Sequence, residues 1–228
     1  MRPLHVILLL VALLPTAIRA QEYTVEVLKE APPAALSPAV KGVLEGQGYR
    51  AVDGQGKPYA EFWLRKAIPA SSKPAGPQGV IQFPFLVEGE LLGALRFRGE
   101  GHDFRDQTIA QGVYTLRYGL QPVNGDHLGV SEYRDYALLL PAAKDKGLAN
   151  LARKELEVRS AESAGSSHPA ILMLLAAPES AGKSGPSMAR DEEKDTWGAV
   201  IPLSLSVEGE SGPITQPVQL ILIGVAMN

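Results

Sequence analysis

Two short polar segments of this 228-residue chain place a histidine beside a carboxylate. His102 and Asp103 lie in the first segment, Asp126 and His127 lie in the second, and His168 stands near the end of a third polar segment. Imidazole and carboxylate groups are zinc ligands, and a zinc ion with an open fourth position activates water for hydrolysis. If the three segments converge in space, these residues predict a metal site and a metal-dependent hydrolase.

The same segments also have a simpler structural interpretation. Asn124-Gly125-Asp126 is typical of a turn that follows a strand, with a positive φ at Gly125, and residues 99–106 can be a polar connection. The spacing of the histidines matches no zinc motif such as H-E-x-x-H, and no G-x-S-x-G serine motif occurs. We therefore favour the turn interpretation, predict no cofactor, assign no catalytic residue, and lean against an enzyme.

Trp63 and Trp197 are the residues that could stack on a sugar ring. Recognition of a sugar requires an exposed aromatic side chain with polar groups beside it. Trp63 lies on the more polar face of its predicted strand, with Glu61 and Arg65, and Trp197 follows the charged residues 190–195. A carbohydrate-binding module is therefore a second alternative, while either tryptophan can equally be a core or rim residue.

Four arginines occupy outward positions of predicted strands. The chain is slightly acidic, with a formal net charge of −3, and a positive sheet face on it would steer an acidic partner or an anionic polymer. The simpler interpretation is that these side chains solvate an exposed sheet face. The four residues are Arg65, Arg96, Arg98 and Arg117.

The first twenty residues have the organisation of a secretory signal peptide. Arg2 and His5 precede an apolar run over residues 6–14, and a short segment ending at Ala20 follows. The run is shorter than the roughly 20 residues that a membrane-spanning helix needs. We expect cleavage after Ala20, export to the periplasm or the extracellular space, and no membrane span in the mature chain.

Composition excludes several classes of function. The chain has no cysteine, which excludes disulfides, thiolate catalysis, cysteine zinc sites and iron–sulfur clusters. A net charge of −3 gives no reason to expect nucleic acid as a partner. An apolar fraction of 45% with 21% charged residues is that of a globular protein.

Strands are the elements predicted to position these residues. Period-2 alternation is frequent: Tyr114, Leu116 and Tyr118 share one predicted face, and residues 91, 93, 95 and 97 share another. With many Gly and Pro turns, the pattern predicts an all-β fold, an antiparallel β-sandwich of roughly eight to ten strands with one or two short helices. We expect a single domain over residues 21–228.

Helices and loops interrupt this pattern at a few places. Ser37 before a proline predicts a short helix over residues 38–45, and Asp145 is expected to cap a second helix that ends near Leu156. Residues 160–167 and 179–196 are predicted to be loops. Pro202 favours an edge position for the strand that contains it.

Gly112-Val113-Tyr114-Thr115-Leu116, after a polar turn, carries a resemblance. This Gly-x-Tyr-x-Leu strand opening resembles uncharacterised exported bacterial β-sandwich proteins, a domain of unknown function, and residues 62–66 and 134–139 resemble parts of the same proteins. The resemblance covers residues 59–175 and implies export and a β-rich fold, with no catalytic residue. We therefore expect a non-catalytic binding or structural module of the bacterial cell envelope, whose partner is an envelope protein or a glycan. The sequence leaves the oligomeric state open.

Overall fold

The computed structural model describes residues 22–123, 131–179 and 186–224, so the predicted signal peptide lies outside it. Within these ranges the fold is all-β with two short helices, as predicted. None of the helices in these ranges is long and apolar enough to span a bilayer. The elements are β1 (Tyr23–Leu28), α1 (Pro38–Val43), β2 (Gly48–Asp53), β3 (Pro58–Leu64), β4 (Ile68–Ala70), β5 (Leu91–Phe97), β6 (Gly101–His102), β7 (Thr108–Ile109), β8 (Gly112–Leu120), β9 (Asp135–Pro141), α2 (Arg153–Ala164), β10 (Ile171–Ala176), β11 (Ser187–Asp191), β12 (Thr196–Val207) and β13 (Ile214–Ile223).

Most strands belong to one large sheet with the order β1-β2-β3-β5-β8-β9-β10-β13-β12-β11. All neighbours along this path pair antiparallel, and β4 adds a parallel pairing to β12. The sheet curls until β1 packs against β11, where the rings of Tyr23 and Trp197 meet edge to face at 5.6 Å. A curled sheet of this kind is compatible with the predicted sandwich.

The inner face of the curled sheet carries the main core. Tyr114, Leu116 and Tyr118 of β8 point inward, as their alternation predicted, and pack in one cluster with Leu203 of β12 and Leu220 of β13. Residues from distant strands thus share one core, because each strand buries one face against the opposite side of the curl.

A β-bulge breaks the alternation predicted for β5. The pairing with β8 shifts between Leu91 and Gly93, so Leu95 and Phe97 face the main core while Leu91 packs on the outer face. The prediction that Leu91 shares a face with Leu95 was therefore wrong. Gly93 permits the close approach, because a Cβ atom there would collide with the carbonyl oxygen of Trp63.

Helix α1 was predicted correctly and covers part of the outer face. Ser37 is its N-cap, and the Ser37 hydroxyl accepts a hydrogen bond from the backbone N–H of Val40 at 3.1 Å. Val40 packs in a second apolar cluster with Trp63 and Leu91.

Helix α2 differs from the prediction. It begins at Arg153, eight residues after the expected cap at Asp145, and ends at Ala164, where Gly165 caps it with a left-handed φ of 59°. Residues 160–164, expected in a loop, therefore belong to the helix. Its capping glycine has the conformation that a helix C-terminus favours.

Two serines and one leucine attach α2 to the sheet. Leu156 is buried on the outer face, and the hydroxyls of Ser160 and Ser163 donate to the carbonyls of Ala170 and Leu139 at 2.9 and 2.8 Å. Because the helix contacts the sheet largely through serine hydroxyls, its sequence shows little apolar periodicity.

The C-terminal strands also differ in part from expectation. The segment 179–196, predicted as a loop, contains β11, and its charged residues 192–195 form the turn between β11 and β12. Strand β12 pairs on both sides and is not an edge strand. Pro202 nevertheless lies between the stretches of β12 that pair with β11 and with β4, where no N–H is required on that side.

Candidate functional site

A small pocket lies between α2 and the outer face of β9 and β10. It has a cavity volume of about 70 Å³. Its apolar walls include Leu138 of β9, Leu156 of α2 and Ile171 of β10, and Tyr136 of β9 also lines it. Because these residues come from elements packed on one another, the pocket is formed by the fold itself.

Asp103 organises the β6–β7 loop at one side of this pocket. Its buried carboxylate accepts hydrogen bonds from the backbone N–H groups of Arg105 and Gln107, at 2.8 and 2.9 Å, and from the Gln107 side-chain amide at 2.8 Å. It also accepts from the backbone N–H of Ile171 at 3.1 Å. Four donors therefore surround the residue that the sequence offered as a metal partner.

The same loop is joined to β10 and to the segment after α2. The backbone N–H of Phe104 donates to the carbonyl of Ile171 at 2.8 Å, and the Gln107 amide donates to the carbonyl of Pro169 at 3.1 Å. These bonds bring Phe104, Arg105 and His168 to the pocket, all three of which line it. Two of the three polar segments singled out in the sequence thus converge at one place.

Tyr136 is the unusual residue of the pocket. It is 4% exposed, and its hydroxyl is the one buried side-chain polar atom without a hydrogen-bond partner among the described residues. Burial raises the pKa of Tyr136 to about 12, although the positive charges of Arg105 and Arg134 act in the opposite direction. Tyr136 is therefore a neutral, unpaired hydroxyl at neutral pH.

Charged groups stand at the rim of the pocket. Arg153 of α2 forms an ion pair with Glu88 at 3.0 Å, and Glu157, one turn further along the helix, also lines the pocket. The Arg105 guanidinium forms no ion pair with any residue that the structure describes. His168 is exposed at the rim.

The remaining residues of the metal hypothesis are placed as follows. His102 is half exposed, with Asp106 at 3.3 Å and Glu100 at 3.8 Å from its ring nitrogens. Asp126 and His127 lie outside the described residues. Within the described ranges, no group of three or more His, Asp or Glu side chains has a geometry that could hold a metal ion. The metal site therefore stays a prediction.

Arg117 was expected on an outward, solvated face, and this expectation was wrong. Its guanidinium is fully buried and forms two hydrogen bonds with the Asp145 carboxylate, at 2.6 and 2.8 Å. It also donates to the carbonyls of Gly89, Gly147 and Ala149. Since Asp145, Gly147 and Ala149 all come from the segment after β9, that segment covers the outer face of β8.

Arg65, Arg96 and Arg98 are each paired with carboxylates as well. Arg65 is largely buried beside Glu90, and Arg96 and Arg98 donate to the carboxylate of Glu61 at 2.5 and 2.9 Å. The predicted open positive face is therefore replaced by ion pairs, because acidic residues of the same outer face lie between the arginines.

Glu61 is the centre of this ion-pair network. Its carboxylate is fully buried and also accepts from Arg50 at 2.8 Å, while Glu30 lies on the exposed side of the same arginines. Burial opposes ionisation of Glu61, but the hydrogen bonds from Arg96, Arg98 and Arg50 outweigh it and hold its pKa below the ordinary value. The network joins β2, β3 and β5 on the outer face.

The two tryptophans differ in exposure. Trp63 is buried in the cluster beneath α1, and its indole N–H donates to the carbonyl of Glu30 at 2.9 Å, so its ring is not free to stack on a sugar. Trp197 is half-buried, with Tyr23 against its edge and the Arg190 guanidinium 5.5 Å from the ring centroid. Carbohydrate binding thus retains one of its two candidate rings.

Sequence reasoning missed Tyr136 and the pocket. Tyr136 belongs to a predicted strand of apolar residues, so its ring had the appearance of an ordinary core residue. The available signal was a single hydroxyl in the apolar run that ends at Pro141. That hydroxyl is recognised as buried and unpaired only when its neighbours, which come from three other parts of the chain, are placed around it.

Comparison of the chain with protein-family models, with curated proteins and with solved structures finds no match. The observations that bear on its function are therefore the geometry of the pocket beneath α2 and of the charged residues around it.

Proposed function

We propose that this protein is a non-catalytic binding module of the bacterial cell envelope that holds a small, mostly apolar ligand in the pocket beneath α2. One observation carries the proposal: Tyr136 lines a mostly apolar pocket, and its buried hydroxyl has no hydrogen-bond partner among the described residues. Roughly 90% or more of buried polar groups in proteins are hydrogen-bonded, so this donor indicates a partner beyond the described residues, for which we propose a ligand. The place in the envelope rests on the signal-like residues 1–20.

The walls of the pocket support binding because hydrogen bonds within the chain hold them in place. Asp103 and Gln107 fix the β6–β7 loop against β10, and the hydroxyls of Ser160 and Ser163 fix α2 against the sheet. A preformed apolar pocket with few, well-placed polar groups is the usual form of a small-molecule site.

The size of the pocket limits the ligand. One buried water needs about 10–15 Å³ of such volume, so 70 Å³ holds several waters or one short aliphatic or small ring group. The proposed ligand is therefore a small molecule, or the terminal group of a larger one, with a hydrogen-bond acceptor for Tyr136.

Two-dimensional NMR of the mature chain, residues 21–228, tests this proposal. A set of small apolar molecules that each carry one acceptor is titrated into the wild type and into Tyr136→Phe. We expect saturable shifts at residues lining the pocket and an affinity roughly fivefold lower in the variant, the value of about one hydrogen bond.

Tyr114→Phe is the matched control, because the Tyr114 hydroxyl donates to the carbonyl of Ala110 at 2.7 Å and lies in the other face of the sheet. Its ligand affinity should equal that of the wild type. The proposal fails if no member of the set shifts pocket residues, or if Tyr136→Phe binds every ligand as well as the wild type does.

A further inference from the structure

Two positively charged side chains act on the Tyr136 hydroxyl. Arg105 and Arg134 are the charged groups whose fields reach it, and both favour a negative charge at this position. Of the two carboxylates that line the pocket, Glu88 is held by Arg153. Glu157 lies on the α2 side of the rim.

Arg105 and Arg134 are not equally available to a ligand. The Nε atom of Arg134 donates to the carbonyl of Gln121 at 2.6 Å, so this side chain already has a hydrogen-bond partner within the protein. Arg105 is exposed and lines the pocket, and its backbone is fixed by Asp103 while its guanidinium has no ion pair among the described residues. Among the described residues the Arg105 guanidinium therefore has no carboxylate partner, and it lines the same pocket as Tyr136, whose hydroxyl has no acceptor there.

We infer that the ligand of this pocket carries a carboxylate, which accepts a hydrogen bond from the Tyr136 hydroxyl and lies against the Arg105 guanidinium. This inference rests on the proposed function and names the chemical class of its ligand. A carboxylate only accepts hydrogen bonds, and phenol and guanidinium groups both donate to it. One anionic group thus satisfies both side chains at once.

The apolar walls define the rest of the molecule. Leu138, Leu156 and Ile171 line the apolar part of the pocket and offer no donor or acceptor from their side chains. Gln121, Glu157 and His168 also line the pocket. The ligand is therefore a small monocarboxylate with a short aliphatic or aromatic body, in which the carboxylate points to the β6–β7 loop and the apolar part points to α2.

Matched pairs of ligands test the charge separately from the pocket. Butanoate, pentanoate and benzoate are compared with butanol, pentanol and benzyl alcohol by NMR titration at neutral pH and constant ionic strength. We expect each carboxylate to bind the wild type at least tenfold more tightly than the alcohol of the same carbon skeleton.

Arg105→Gln removes the charge from an exposed side chain, so the variant should fold normally. We expect it to bind each carboxylate with about the affinity of the alcohol of the same carbon skeleton. Arg159→Gln, an equal change of net charge on α2 at a residue that does not line the pocket, should keep the full preference for carboxylates.

These titrations distinguish failure of the carboxylate inference from failure of the proposed binding function. If alcohols and carboxylates bind in the pocket equally well, or if Arg105→Gln keeps the preference, the carboxylate inference is overturned and the binding function stands. If neither series shifts residues of the pocket, both are overturned.

Discussion

Asp103 and Ile171 lie 68 positions apart and are joined by a hydrogen bond of 3.1 Å from the Ile171 N–H to the Asp103 carboxylate. The next residue of the loop, Phe104, returns a bond from its own N–H to the Ile171 carbonyl at 2.8 Å. This reciprocal pair fixes the β6–β7 loop to the first residue of β10. The loop can therefore serve as a wall of the pocket, although it contains few apolar residues.

Asp103→Asn should weaken this attachment. An asparagine has one acceptor oxygen where the aspartate has two, so part of the set of four donors loses its partner. We expect the free energy of unfolding, measured by urea denaturation, to fall by about 1–3 kcal/mol. Amide hydrogen exchange at Phe104 and Ile171 should accelerate more than exchange in the main core.

Asp106→Asn is the control for this change. Asp106 is exposed in the same loop with a φ of 60°, a conformation that asparagine adopts readily. Its stability should stay within about 0.5 kcal/mol of the wild type. Equal effects of the two substitutions would contradict the structural role assigned to Asp103.

Tyr136→Phe should leave folding intact or improve it. The Tyr136 hydroxyl is buried and unpaired in the described structure, so its removal ends a desolvation cost of about 1–3 kcal/mol without loss of a bond. Tyr114→Phe deletes a hydroxyl that is hydrogen-bonded and should lower the free energy of unfolding by about 1 kcal/mol. Thermal unfolding of the ligand-free variants measures both, and a clear loss of stability in Tyr136→Phe would show that its hydroxyl has a partner.

The ion-pair network around Glu61 should make stability depend on pH. The pKa of Glu61 lies below 4.5 in the folded state, so its contribution is complete above the unfolded pKa and is lost as pH falls through the folded pKa. Glu61→Gln should therefore cost about 3 kcal/mol at pH 7, and less at about pH 3. Urea denaturation of both proteins across this range measures the difference.

Asp135 provides a comparison of opposite sign. Burial raises its pKa above 3.8, against hydrogen bonds from Tyr118 and the N–H groups of Gln82 and Phe83. The free energy of unfolding therefore falls as pH rises from the pKa of Asp135 in the unfolded chain to its higher pKa in the folded protein. The stability difference between wild type and Asp135→Asn should shrink with rising pH, whereas that for Glu61→Gln should grow. A common trend in both would contradict the assigned pKa directions.

Strand faces could be predicted from the sequence where alternation continued without interruption. In β8, Tyr114, Leu116 and Tyr118 face the core as expected, because a strand with one buried face needs an apolar residue at every second position. The bulge at Gly93 defeats the same rule in β5, since one extra residue exchanges the two faces. A bulge depends on the neighbouring strand, and the local sequence does not contain that information.

Helix α2 and the pocket depend on long-range contacts of another kind. Ser160 and Ser163 attach the helix through hydroxyls, so the apolar period that indicates a helix was weak. The polar residues around His102 and His168 were singled out for their chemistry, and their segments do meet. They meet, however, around Tyr136, whose unpaired hydroxyl is visible only once its neighbours are placed.

Arg117 and Asp145 give the sharpest test of the segment that follows β9. Both side chains are buried, 0% and 1% exposed, and two hydrogen bonds join them. Removal of one partner leaves an uncompensated buried charge, so Asp145→Asn should lower the free energy of unfolding by about 3–5 kcal/mol. Urea denaturation measures this loss.

The double replacement Arg117→Met, Asp145→Leu removes both charges and should recover much of the lost stability, because apolar residues often substitute well for a buried ion pair. The recovery should be partial, since the carbonyls of Gly89 and Gly147 lose the donors that Arg117 provides. A double variant less stable than Asp145→Asn would mean that these carbonyl bonds, rather than the ion pair, hold the segment on β8.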